Sequence, residues 1–264
     1  MSENSETLLE LQSAADALGV HYQTAYRWVR SGRLPAQLIG GKYLVSSHDV
    51  ADVSASRNRP QAPAAPSPAR LVRQSERMHE ALLAGDESEA RKIAKRLVDE
   101  GTSIIDLIEQ EISPPLLAIG QAWHDGNLTV WVEHRASAII ERALGDLLPN
   151  QRGRRRGTVV VAAIAGDLHS LPTTMATLAL REAHWHVHHL GADLPGEELV
   201  NFCAAHEEVD VAVISVTNSN AADRAEEVAD KIRAGGTPTL VGGAGKTLGG
   251  LVDDVQQAAD SRRS

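Results

Sequence analysis

The stretch "TVVVAAIAGDLHSLPTTMATLALREAH", residues 158–184, joins a continuous apolar run through a glycine to a helical pattern. An apolar run with no polar alternation is typical of a strand that is covered on both faces. Pro172 suits the first turn of the helix that follows. The alternation of strand and helix continues to about residue 260, with further strands in "WHVHHLGAD", "VDVAVISVT" and "TPTLVGGAG". We therefore predict a doubly wound, Rossmann-like parallel sheet over residues 157–260.

Polar residues and glycines follow the predicted strands at the edge where such sheets bind ligands, beyond the carboxyl ends of the strands. A lone loop histidine is usually solvated and idle, but Asp167 stands two residues before His169, where its carboxylate can orient the imidazole. Nearby residues do not complete a tetrahedral zinc set, so one nitrogen on an already chelated metal, as in a macrocycle, fits better. The other residues at this edge are Ser215, Thr217, Gly242 and Gly243.

The head, residues 7–53, has the pattern of two short helices around a glycine turn, followed by a hairpin with a Gly-Gly turn. Ser13 is expected to cap the first helix. The stretch "ADALGVHYQTAYRWVRSGRLPA", residues 15–36, resembles the MerR and excisionase type of winged helix-turn-helix. In that family the second helix enters the major groove of DNA and the wing contacts phosphate.

The resemblance implies two sets of DNA-binding residues. Those near base edges are Tyr22, Gln23, Thr24 and Arg27. Those at the phosphate backbone are Arg30, Arg33 and Lys42. The alternative is a small helical interaction module with a solvated basic face.

The middle of the chain is predicted to be helical. Residues 54–70 are rich in Pro, Ala and Ser and should form a semi-extended linker. Residues 71–148 contain four periodic stretches with short connections, the pattern of an up-down four-helix bundle. The run "SPP", residues 113–115, should begin a new turn or kink the third helix.

The motif "GDLHSLP" is similar to the D-x-H-x-x-G signature of cobalamin-binding domains, in which the histidine replaces the cofactor's own base as lower ligand to cobalt. Pro172 stands in place of the final glycine of that signature. The stretch "ISVTNSN" resembles the strand that lines the displaced nucleotide tail, and "VGGAG" matches a Gly-Gly pair that lets the tail pass close to the backbone. The resemblance carries these roles to Asp167, His169, Ser215, Thr217, Gly242 and Gly243.

The stretch "AWHDGNLTVWVEHRAS" separates Trp123 from the pair Glu133 and His134 by nine residues. Taken alone, it fits a tryptophan at a helix junction with two polar residues outside. Its spacing resembles CarH-type photoreceptor regulators, in which a bundle caps the upper face of cobalamin. That implies Trp123 against the upper group of cobalt, Glu133 hydrogen-bonding this group, His124 close by, and His134 as a candidate ligand once the group leaves. Trp131 adds a second aromatic side chain near the same pocket.

The order of head, bundle and cobalamin-binding domain resembles the CarH and LitR class of light-responsive repressors. The resemblance implies a transcriptional regulator rather than an enzyme, with adenosylcobalamin as cofactor and methylcobalamin or hydroxocobalamin as alternatives. The upper ligand of cobalt would control self-association to a dimer or tetramer, and through it the binding of DNA. A corrinoid carrier of a methyltransferase system and a light-independent cobalamin or redox sensor are the alternative interpretations.

Composition narrows the class of protein further. The formal net charge is −9, which argues against a uniformly basic, nucleic-acid-coating protein. The single Cys203 excludes a disulfide framework within one chain. The sequence lacks a membrane-spanning apolar run and a signal-peptide pattern, so we expect a cytoplasmic protein without membrane association. His186 and His188 share one strand face, which we interpret as a strand exposed at a sheet edge rather than a metal site.

Overall fold

The computed structural model describes residues 8–18, 25–26, 28–29, 34–39, 42–51, 68–147, 154–243 and 245–263. The chain divides into two compact units, Met1–Ala65 and Pro66–Ser264. Among the described helices, none combines the length and apolar character that crossing a membrane requires.

The first unit contains a small antiparallel sheet with helical segments packed against it. Its main elements are β1 (Leu8–Glu10), α1 (Leu11–Ala17), β2 (Gln37–Ile39) and β3 (Lys42–Ser46), with strand order β1-β3-β2. Residues 25, 26, 28 and 29 and residues 47–51 are also helical. The small buried core includes Ala14, Ala15 and Val45, and Trp28 packs against it.

The prediction that Ser13 caps the first helix is wrong. The helix begins at Leu11, its N-cap is Glu10, and Ser13 lies inside it. The cause is β1, which pairs with β3 through Glu10 and Leu44 and holds the chain extended up to the start of α1. That pairing joins segments far apart in the sequence, so the local pattern does not reveal it.

The amino-terminal part of the second unit is the helical bundle. Its elements are α2 (Pro68–Ala84), α3 (Glu87–Asp99), α4 (Ile104–Asp106), a π-helical turn (Leu107–Ile112), α5 (Ser113–His124) and α6 (Val130–Asp146). Pro114 and Pro115 occupy the first turn of α5, where missing N–H donors cost least. The irregularity predicted at "SPP" is a π turn that ends at Ile112, directly before the start of α5.

The carboxyl-terminal part of the second unit is the predicted doubly wound parallel sheet. Its strands are β4 (Thr158–Ile164), β5 (His186–Leu194), β6 (Val211–Val216) and β7 (Thr239–Gly243), in the order β5-β4-β6-β7. Its helices are α7 (Ser170–Glu182), α8 (Gly196–Ala205), α9 (Ala222–Ala234) and α10 (Leu248–Arg263). The predicted fold class is confirmed, and β5 is an edge strand, as expected from His186 and His188.

Both faces of this sheet are covered. Val160 and Ala162 of β4 face the core formed with α8 and α9. Val159 and Val161 face the core formed with α7 and α10. Helix α7 also contributes the fully buried Leu178 to the core of the bundle, so bundle and sheet share one helix.

Candidate functional site

The candidate site lies where strand order reverses, at the carboxyl ends of β4 and β6. The chain leaves β4 for β5 on one side and returns to β6 on the other, which opens a crevice between the two connecting loops. Gly166 turns the β4–α7 loop with a φ of +97°. Its N–H donates to the Asp193 carboxylate at 2.9 Å, which fixes the loop against the end of β5.

Asp167 is the polar centre of this loop. Its buried carboxylate accepts a hydrogen bond from the backbone N–H of Thr217 at 2.6 Å and of Asn218 at 3.0 Å, both on Oδ2. Its Oδ1 accepts from the backbone N–H of His169 at 3.1 Å. Burial alone would raise the pKa of Asp167, but these hydrogen bonds, with that to the His169 ring, hold the pKa below its ordinary value. The carboxylate therefore stays charged and joins the loop after β4 to the loop after β6.

His169 presents one ring nitrogen outward. Its Nδ1 lies 2.6 Å from Asp167 Oδ1, and its side chain is 56% exposed. The residue is the N-cap of α7, so the imidazole stands at the start of the helix. With an Nδ1 proton donated to Asp167, the lone pair of Nε2 is available to a metal, the arrangement of a metal-binding histidine oriented by a carboxylate.

The predicted tail-lining residues lie at the ends of β6 and β7. Ser215 is buried in β6 and pairs in register with Gly242 of β7. Thr217 is exposed just beyond β6, and its backbone is held by Asp167.

The two glycines of β7 differ in what surrounds them. A Cβ on Gly243 would lie 2.0 Å from the carbonyl oxygen of Val216, so the sheet itself requires glycine there. A Cβ on Gly242 would make only ordinary contacts with the Lys246 side chain, at 3.5 Å or more. Packing within the protein therefore explains glycine at position 243, whereas at position 242 it would also accommodate a Cβ.

Large apolar side chains are exposed around the α5–α6 connection. Trp123, near the end of α5, is 46% exposed, and Trp131, in the first turn of α6, is 58% exposed. Gly126 turns the chain between them with a φ of +75°. A separate exposed apolar side chain lies in the β4–α7 loop, where Leu168, beside His169, is 75% exposed. The two exposed indoles are available to contact a ligand or a partner.

Glu133 and His134 form a pair on the surface of α6. Glu133 Oε1 accepts a hydrogen bond from the Ser137 hydroxyl at 2.8 Å, and His134 Nδ1 lies 2.9 Å from Oε2. The side chain of His134 is 74% exposed, and His124 at the end of α5 is also exposed. Because the His134 contact is exposed, Glu133 would lose it more readily than the Ser137 contact on accepting a hydrogen bond from another donor.

Three residues that support the predicted site residues, by direct contact or through the His169 loop, were not predicted from the sequence. Arg135 stacks over the indole of Trp131 at 5.0 Å and donates to the Leu83 carbonyl at 2.6 Å. The i, i+4 spacing of Trp131 and Arg135 is a signal that could have revealed this contact. Asn218 and Glu141 hold the loop at His169 from distant parts of the chain, and no local pattern marks them.

Most of the predicted DNA-binding residues lie outside the described residues, namely Tyr22, Gln23, Thr24, Arg27, Arg30 and Arg33. Lys42 begins β3, and its Nζ lies 2.6 Å from Glu10 Oε1 of β1, with both side chains exposed. Exposed ion pairs of this kind contribute about 0–1 kcal/mol. The lysine can therefore exchange this partner for a phosphate at little cost.

Comparison with protein families assigns a type to each part of the chain. Residues 74–147 and residues 157–251 each match a B12 binding domain, and residues 8–57 match a helix-turn-helix domain. These matches support a cobalamin cofactor and a helix-turn-helix head in one chain.

Individual relatives include both regulators and corrinoid proteins. The HTH-type transcriptional repressor CarH of Myxococcus xanthus is 28% identical over 176 residues, covering 64% of this chain and 58% of CarH. A corrinoid protein of Desulfitobacterium hafniense (strain Y51) is 22% identical over 146 residues, covering 53% of this chain and 66% of that protein. The chain thus spans less than two thirds of either relative.

The monomethylamine corrinoid protein of Methanosarcina barkeri is a structural neighbour with a TM-score of 0.57. It is 16% identical, and the similarity covers 70% of this chain and 94% of that one, which supports the fold alone.

Proposed function

We propose that this protein is a cobalamin-dependent transcriptional regulator in which the upper ligand on cobalt controls self-association and DNA binding. The observation that carries the proposal is the combination, in one chain, of a helix-turn-helix head with the His169–Asp167 pair. A carboxylate-oriented imidazole suits an axial metal ligand, and the head suits an operator.

The described residues fit the lower face of a corrinoid. Nε2 of His169 would bind cobalt, and Asp167 would hold the ring in place through Nδ1. Gly242, which has no packing need to be glycine, would let the nucleotide tail pass close to the backbone beside Ser215 and Thr217. Pro172, which replaces the signature glycine, lies inside the first turn of α7, a position that suits proline.

The bundle would cover the upper face. The exposed indoles of Trp123 and Trp131 would pack against the upper group, and Glu133 would hydrogen-bond it. His134, and His124 nearby, would then face the position that a departing group leaves. Adenosylcobalamin would supply a light-labile bond between cobalt and that group. Without the group, both indoles would lose a packing partner, which would shift the equilibrium toward another position of the bundle.

Self-association would couple the cofactor to DNA. A single small head contacts only a short site, whereas two heads held in one dimer or tetramer bind adjacent half-sites with a higher effective concentration. A bundle surface that changes with the upper group would therefore change operator affinity without any change in the head.

An electrophoretic mobility shift on the gene's own upstream DNA, with adenosylcobalamin in the dark and after green light, tests this function. We expect a shifted complex whose affinity changes at least about tenfold between the two states, in line with ordinary allosteric coupling. His169→Ala should reduce this difference in DNA affinity between the dark and illuminated states. DNA binding that is unaffected by both cofactor and light would contradict the proposed function. A dependence on cofactor alone would favour a light-independent sensor.

A corrinoid carrier of a methyltransferase system is the second candidate. The similarity to corrinoid proteins favours it, for example to the trimethylamine corrinoid protein 1 of Methanosarcina mazei, which is 24% identical over 170 residues. A carrier has no need of a helix-turn-helix head, so the head favours regulation. Methyl transfer from the loaded protein to a partner, with no DNA complex, would support the carrier.

A further inference from the structure

Among the described residues of the second unit, three carboxylates join the bundle to the sheet, and each accepts hydrogen bonds at the start of a helix. Glu182 of α7 accepts from the backbone N–H of Ile104 at 2.7 Å and of Ile105 at 3.3 Å, at the start of α4. Glu109 of the π turn accepts from the N–H of Leu248 at 2.5 Å, at the start of α10. Negative charge is favoured at these helix ends. The third carboxylate, Glu141, lies at the candidate site.

Glu141 of α6 binds the first two turns of α7. Its Oε2 accepts from the Ser170 hydroxyl at 2.8 Å, and its Oε1 accepts from the Thr174 hydroxyl at 3.0 Å. Ser170 is the residue directly after His169. The histidine is therefore held from two sides, by Asp167 of the sheet at its ring and by Glu141 of the bundle at the next residue.

The same helix carries three of the residues proposed for the upper face, and Trp123 and His124 lie on α5. Trp131, Glu133 and His134 lie in the first turns of α6, and Glu141 follows Glu133 by eight residues, about 12 Å along the helix axis. Helix α6 is anchored along this length by the fully buried Ala136 and Ile140. Because α6 is one rigid element, a displacement of its amino-terminal end also moves Glu141.

Resting on the proposed function, we propose that Glu141 is a positioning residue that couples the position of α6 to the orientation of His169. While α6 covers the upper face, Glu141 holds Ser170 and Thr174 and fixes the start of α7. When α6 moves, this hold on the residue after His169 is released and only Asp167 remains. The upper and lower faces are thereby linked through the protein, and not only through cobalt.

The test measures how firmly the protein imidazole stays on cobalt in the full-length chain loaded with adenosylcobalamin in the dark. Acid displaces an axial imidazole, and the visible spectrum reports the pH midpoint of this displacement. Glu141→Ala should raise the midpoint by about one pH unit, because two hydrogen bonds at a charged group no longer hold the loop. Glu141→Gln keeps hydrogen-bonding atoms at this position and should shift the midpoint less.

Glu182→Ala is the matched control, because it removes a bundle–sheet contact of the same kind away from the His169 loop. It should leave the midpoint within a few tenths of a unit of the wild-type value. An equal shift in Glu182→Ala would mean general loosening and would overturn the inference. So would a wild-type midpoint in Glu141→Ala.

A second variant protects the test against misfolding of Glu141→Ala. Ser170→Ala combined with Thr174→Val removes the two hydroxyl donors and leaves the carboxylate in place, and it should raise the midpoint similarly. Should this variant keep the wild-type midpoint, the inference is wrong. Failure of the proposed function looks different: the wild-type chain would then retain no cobalamin, or His169→Ala would leave its spectrum unchanged.

Discussion

At the scale of single residues, the candidate site depends on one buried carboxylate. Asp167 is the acceptor for the backbone of Thr217 and Asn218 and for both the backbone and the ring of His169. A change at Asp167 would disturb the loops after two strands as well as the ring, so loss of cofactor in such a variant would not isolate the role of the imidazole. Variants at His169 and Gly242 separate ligand binding from folding more cleanly.

The two glycines of β7 form a matched pair for substitution by alanine. Gly243→Ala places a methyl group against the Val216 carbonyl and should lower the free energy of unfolding by more than about 3 kcal/mol. Gly242→Ala makes only ordinary contacts and should change it by less than about 1 kcal/mol, yet weaken cobalamin retention by narrowing the path of the tail. Urea unfolding of the cofactor-free chain and retention of cobalamin on gel filtration measure the two effects.

The contrast between the two variants is the control. If Gly242→Ala retained cobalamin as well as the wild type, the tail would not pass this position. If Gly243→Ala folded with unchanged stability, the close approach of β6 and β7 would be wrong.

At the scale of elements, the π turn holds an acid inside the bundle core. Glu111 has no exposed surface, and neither carboxylate oxygen has a hydrogen-bond partner among the described residues. Burial raises the pKa of Glu111 to about 7. Between about pH 4.5 and pH 7, the unfolded chain has therefore lost a proton that the folded chain still holds. Folding stability should fall as pH rises through this window.

Glu111→Gln should remove this part of the pH dependence. We expect the variant to unfold with a free energy about 3 kcal/mol higher than the wild type at pH 8, and close to it near pH 4.5, in urea titrations at both values. Glu76→Gln, at an exposed position of α2, is the control and should follow the wild type at both pH values. A Glu111→Gln variant with the same pH dependence as the wild type would contradict a neutral, buried Glu111.

Most of the helices and strands were predictable from the sequence, because hydrophobic periodicity indicates which face of an element is buried. The run "TVVVAAI" predicted a covered strand, and the periodic Leu, Ile and Ala of the bundle predicted its helices. The π turn was not predictable, since Leu107–Ile112 keeps ordinary helical residues and differs only in backbone hydrogen bonding. The contact of Asp167 with Thr217 joins residues 50 apart, and only the folded sheet brings them together.

At the scale of the whole molecule, the second unit links its two parts through a shared helix and three carboxylates. Helix α7 begins beside His169, lines the sheet, and contributes Leu178 to the bundle core. A ligand bound between bundle and sheet would therefore shift the packing equilibrium of both. The head forms the other compact unit, so the coupling to DNA is proposed to run through self-association of the chain.

We propose that the imidazole of His169 binds cobalt in place of the cofactor's own base. Electron paramagnetic resonance of bound cob(II)alamin reads the axial nitrogen directly, through its hyperfine splitting. With protein labelled with ¹⁵N-histidine and unlabelled cofactor, we predict that the nitrogen triplet becomes a doublet, and that His169→Ala loses the doublet. A triplet that persists in the labelled protein would show that the cofactor keeps its own base, and would contradict the claim.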